Sequence, residues 1–171
     1  MTKKTRHLSM TVWIVKEWYV WPFAWILAGR NYVRSIDELI AKVLSPAVAQ
    51  GKSFDKLHIL SHGNRYHDPL GKIAGYYIGM GGTDRLDTAD FDEHCNLIPR
   101  TNTEKFLVKL RHAMNPEGRL IFSACGQGDG TLLFSISRYI DNRITVSGYS
   151  KLGHPFGRGN IAFRNGFRVK P

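Results

Sequence analysis

Residues 119–130 read RLIFSACGQGDG. Arg119 to Ser123 have the character of a strand buried within a sheet. Cys125 stands where that strand gives way to a turn containing Gly126, Gly128 and Gly130, and Leu132 onward has helical spacing. Such a strand–turn–helix junction fixes the backbone through the strand and presents the thiol at its tip. The N-terminus of the following helix offers a partial positive charge and unpaired N–H groups, and both favour thiolate over thiol. A matching junction lies upstream at residues 57–63, LHILSHG, where a second apolar run delivers His62 followed by Gly63.

The bulk properties set the frame for these two points. A chain of 171 residues with 43% hydrophobic and 12% aromatic content can bury one sizeable core, so a single domain over 1–171 is expected. Two cysteines, Cys95 and Cys125, do not make a disulfide framework, and they point to a reducing, cytoplasmic setting. The net charge of +10 invites a nucleic-acid reading. The excess is scattered, however: Lys3, Lys4 and Arg6 lead the chain, and Lys151, Arg158, Arg164, Arg168 and Lys170 populate the tail. The segment Asp84, Asp87, Asp90, Asp92 and Glu93 is locally acidic. A solvated basic surface is therefore the preferred reading.

Taken in order, Thr11–Lys16 reads as a first strand. The aromatic stretch from Trp18 to Ala28 is too short to span a bilayer and is broken by Pro22, so a membrane segment is not expected, although a secretion signal stays open. Residues 35–45, SIDELIAKVLS, carry a Ser35/Glu38 capping box and an apolar stripe at Ile36, Leu39, Ile40, Val43 and Leu44, with Pro46 expected to end the helix. Lys56–Ser61 is the next strand, making a strand–helix–strand unit with parallel pairing. GKIAGYYIGM (71–80) reads as two short strand pieces in a small hairpin. Helices follow over 102–114 and 131–140, strands over 119–123 and 143–149, and an edge hairpin from IAF and FRV. The pattern is α/β with a mainly parallel sheet. Ligands bind at the carboxyl ends of such strands, and His62 and Cys125 are both placed there.

A cysteine nucleophile needs a partner that favours its thiolate, and histidine does so near neutral pH. Backbone N–H groups at Gly63 and Cys125 are candidate oxyanion donors, and glycine at 63 permits close backbone approach. The bland alternatives are a buried thiol acting as a small hydrophobe and a histidine serving as a satisfied polar side chain.

The pair of apolar strands ending in Ser61-His62-Gly63 and Ser123-Ala124-Cys125-Gly126 resembles the clan of caspase-like cysteine peptidases, which includes caspases, gingipains, legumains, separases and clostripain. Ala124-Cys125-Gly126 resembles the caspase Q-A-C-[RQG]-G signature and departs from it at Ser123 and Gln127. The motif is most similar to a caspase-like domain of large bacterial surface proteins, in which L-S-H-G precedes a glycine-bearing hairpin, a helix and the Cys strand. The resemblance covers residues 56–150. It implies a three-layer sandwich with helices on both faces, His62 as general base, Cys125 as nucleophile, Gly63 at the oxyanion hole, a protein or peptide substrate and no cofactor. Asp129 and Asp84 are candidate substrate-binding residues for a basic side chain, with Asp129 alternatively a turn residue or helix cap. Competing readings are a phosphate cradle at Gly126, Gly128 and Gly130; zinc ligands among His58, His62, His67, His94 and Cys95; a catalytically silent caspase-like binding module; and a basic nucleic-acid-binding protein.

Overall fold

A computed structural model describes residues 6–14, 31–99, 101–124, 130–140, 143–149 and 161–171. In chain order the strands are β1 (Arg6–Ile14), β2 (Tyr32–Val33), β3 (Lys52–Leu60), β4 (Gly63–His67), β5 (Ile73–Gly79), β6 (Arg85–Asp87), β7 (Met114–Ser123), β8 (Thr145–Gly148), β9 (Ile161–Arg164) and β10 (Phe167–Val169). The helices are α1 (36–49), α2 (Asn102–Ala113) and α3 (Thr131–Ile140). The main sheet has the order β10-β9-β8-β7-β3-β1-β2, and β4, β5 and β6 form a separate antiparallel sheet. Strands β2, β1, β3, β7 and β8 are mutually parallel, while β9 and β10 are antiparallel additions at one edge. The protein is thus α/β with a mixed, mostly parallel sheet.

One apolar core joins the helices to one face of this sheet. Phe54, Leu57 and Ile59 from β3 and Leu120 and Phe122 from β7 meet Leu39, Phe106, Leu110, Leu133 and Ile136 from the three helices. Each such side chain contributes roughly 1.5–3 kcal/mol by leaving water. Residues 56, 58 and 60 alternate to the opposite face, where Leu60, Ile121 and Ala162 are buried beside the polar His58, Thr145 and Ser147. The three described helices touch one another in sequence, α1 to α2 to α3, on one face of the sheet.

Other expectations need correction. β1 begins at Arg6, because Arg6 to Phe54-paired Leu8 already lies in register with β3 before a bulge. The first crossover unit contains β2, whose two residues are too few to show a period, so α1 links β2 rather than β1 to β3. α1 does not stop at Pro46. Residues Ile40–Leu44 widen into a π-helical turn, and Ser45–Ala49 continue as α-helix with the proline in their first turn, where its missing N–H costs least. GKIAGYYIGM is a single strand, β5, paired with β4 on one side and β6 on the other. β7 starts at Met114, although only Met114 and then Arg119 onward pair with β3. The tail hairpin forms as expected, its Asn165-Gly166 turn held at φ 49° and 75°. The aromatic stretch beyond Ile14, up to residue 30, lies outside the described residues.

The cap of α1 is half a capping box. Ser35 Oγ accepts the Glu38 N–H at 3.1 Å, but Glu38 reaches back to the N–H of Arg34 at 2.9 Å, one residue further than the motif implies. Ser35→Ala is expected to lower stability by about 1 kcal/mol, read as a shift in the urea midpoint with unchanged slope.

Candidate active site at the ends of two central strands

β3 and β7 are adjacent, parallel and in register from Lys56 opposite Arg119 to Leu60 opposite Ser123. The ladder continues one bond further, with the Ser61 N–H donating to the Ser123 carbonyl at 3.1 Å. The order of strands reverses between β1 and β3, the point at which an open parallel sheet leaves a crevice at its carboxyl edge. His62 follows β3 directly into that edge. The described part of the other strand ends at buried Ala124, so Cys125 and Asp129 lie outside the described residues.

His62 is fixed by the second sheet. Its carbonyl accepts the Gly79 N–H at 2.7 Å, and Ser61 Oγ donates to the Gly79 carbonyl and lies 3.3 Å from the His62 carbonyl. Gly63 opens β4 and pairs with Ile78. His62 itself is half-buried. A backbone held between two sheets is a rigid mount for an imidazole.

The other histidine of LHILSHG has a different place. His58 is only 8% exposed, and its Nε2 lies 2.7 Å from Ser123 Oγ, its diagonal neighbour across the strand pair. Burial, with Lys56 on the same strand face, pushes its pKa from 6.5 down to about 4, so the ring is neutral at physiological pH. Nothing in the sequence pattern separates the two histidines, which share parity with Leu60, except their distance from the strand end.

The acidic segment is committed to backbone. Asp84 accepts the Ile36 N–H at 3.1 Å and the Asn102 side-chain amide at 3.0 Å, tying α1 to α2. Asp87 and Asp90 form a reciprocal cap around the 3₁₀ turn Thr88–Asp90, and Asp87 also pairs with Arg85 at 2.8 Å. Asp92 accepts the N–H groups of His94 and Asn96. The signal for this was present in the spacing, since Asp two residues before an N–H is an Asx turn. Of the proposed phosphate cradle, Gly130 is described. It sits at φ +89°, and a Cβ there would fall 2.7 Å from the Phe163 ring. Its carbonyl accepts the Phe134 N–H at 2.8 Å, the first bond of α3. Among the described residues no three of His, Cys, Asp and Glu gather as a metal site. No helix among them is long and apolar enough to cross a membrane. Compared with known proteins, the chain matches no family model, no curated sequence and no solved structure.

Proposed function

We propose that the chain is a cysteine peptidase of caspase-like architecture, with Cys125 as nucleophile and His62 as its base. One observation carries the reading: β3 and β7 are parallel neighbours with Leu60 opposite Ser123, and His62 and Cys125 each follow that pair by two residues. The order after His62 also supports it, since a glycine-bearing hairpin and a helix precede the Cys strand. The Cys125 thiolate attacks a peptide carbonyl carbon, and the carbonyl electron pair moves to oxygen, facing the N–H groups of Gly63 and Cys125. Collapse breaks the C–N bond, and the leaving amine takes a proton from the His62 imidazolium. Water then attacks the thioester as His62 accepts its proton, and the thiolate leaves.

The substrate is a protein or peptide. Because the Asp84 carboxylate already holds two hydrogen bonds, preference for a basic side chain is assigned first to Asp129. The test is the rate of Cys125 alkylation against pH in wild type and His62→Ala. A fast reaction titrating well below the ordinary thiol value of ~8.5, slowed in the variant, is the expected result. A slow reaction unchanged by the substitution would overturn the dyad and leave a silent binding module.

A further inference from the structure

We infer a second site, independent of the peptidase reading, that binds a phosphate-type oxyanion on the sheet face opposite the helices. A small cavity of about 40 Å³ there is walled by Arg119, Arg164, Lys170, Thr145 and Ser147, together with Ile121 and Pro171. That is room for roughly three water molecules, or one tetrahedral oxyanion. Three of the walls are cations; no Asp or Glu lines it, and the one carboxylate at the wall is the main-chain one of Pro171.

The cations are aligned by the sheet. Lys56 pairs with Arg119, Arg119 with Thr145, and Thr145 with Arg164. Cross-strand partners project from the same face, so this row sets three exposed positive charges and one hydroxyl over four adjacent strands. Lys56 directly opposite Arg119 is a like-charge pair, which weakens a sheet. No ion pair or hydrogen bond of the Arg119 side chain is recorded among the described residues to relieve it.

The cavity also holds groups suited to an oxyanion. Arg164 donates from Nε and Nη2 to Thr145 Oγ1 at 3.0 and 2.8 Å, which fixes the guanidinium plane and leaves donors facing outward. Thr145 and Ser147 are 7% and 4% exposed, so their hydroxyls are held by the strand. The Arg119 guanidinium fork, the Arg164 N–H groups not donated to Thr145, the Lys170 ammonium and hydroxyls on a rigid strand form a recognition set for a phosphate group, whose oxygens accept several such bonds. Arg119 stands four residues before the end of β7 at Ser123, about 13 Å along the strand, so the cavity is set back from the carboxyl edge of the sheet. The basic charge that the sequence leaves unassigned thereby acquires a local role.

The experiment is calorimetric titration of the full chain with inorganic phosphate, and separately with pyrophosphate, in sodium chloride of matched ionic strength. Saturable binding of either is the expected result. Arg119→Gln, which removes no ion pair or hydrogen bond among the described residues, is expected to weaken it roughly ten- to a hundredfold. Lys170→Gln is expected to weaken it less, and Lys56→Gln, outside the cavity walls, least of all. A response reproduced by sodium chloride alone would overturn the site, as would binding that Arg119→Gln and Lys170→Gln both leave unchanged. Binding of a short DNA duplex that falls steeply with salt and depends on Lys56 as strongly as on Arg119 would also overturn it, assigning the row to a nucleic-acid backbone.

Discussion

Cys125→Ala is expected to lower kcat/KM for a cleaved peptide by on the order of 10⁴-fold or more, with the fold intact. The reason is that alanine has no atom able to form the thioester, whereas the neighbouring backbone keeps its place. His62→Ala is expected to cost nearly as much, because an unassisted thiol is mostly protonated near neutral pH. The informative variant is the double substitution. If His62 acts only through Cys125, removing both costs about what removing Cys125 costs alone, since residues working as one unit are not additive. Two independent contributions would instead multiply. Cys95→Ala is the matched control: Cys95 sits in the turn that Asp92 organises, its N–H bonded to the Asp92 carbonyl at 2.9 Å, away from either strand end. Cleavage retained in Cys125→Ala would sink the peptidase assignment outright, whatever the alkylation kinetics showed.

The parts of this site that were legible in the sequence are those governed by local rules. The runs LHIL and LIF are apolar without alternation, as strands covered on both faces must be, and both lie in adjacent central strands. The ends of α2 and α3 were readable because Thr101 caps the N–H of Glu104 and because apolar spacing runs to Ile140. The failures come from competition with longer-range contacts. Pro46 is a stop signal locally, but the π turn before it absorbs the missing N–H, and burial of Ala47 on the core side outweighs the local preference. β2 is a strand only because β1 pairs with it. Tyr66 was unremarkable in sequence. In the fold its hydroxyl donates to Asp87 at 2.9 Å and leans over Gly75, where a Cβ would fall 2.3 Å away. Composition left the acid cluster open between a solvated loop and a pocket, because carboxylates near N–H groups serve turns more often than pockets and composition does not distinguish the two uses.

A loss of stability in mild acid is the other large effect expected, and it belongs to His58. Its pKa is 6.5 in the unfolded chain and about 4 in the fold. Above 6.5 neither state binds the proton, so the group contributes no pH dependence there. Between 6.5 and about 4 the unfolded chain binds the proton and the native chain does not, so stability falls as pH falls. Below the native pKa both states are protonated and the loss levels off, at about 3 kcal/mol in total. Carboxylates such as Asp55, held low by His7, add their own loss at still lower pH. His58→Gln isolates the histidine, since an amide keeps a hydrogen-bonding group for Ser123 and does not titrate. The difference in unfolding free energy between wild type and this variant is expected to be flat above pH 6.5 and to slope through the window down to about 4. A parallel pair of curves would mean that His58 is charged in the fold, or that its site admits water. The consequence reaches the carboxyl edge of the strand pair because Ser123, the bond partner of His58, is also the residue whose carbonyl closes the ladder at Ser61. Protonating His58 therefore weakens the strand pair that His62 and the proposed nucleophile follow in the sequence. Cys125 alkylation should lose its dependence on His62 in wild type only as pH approaches about 4, where the folded His58 takes up its proton, and retain it to lower pH in His58→Gln.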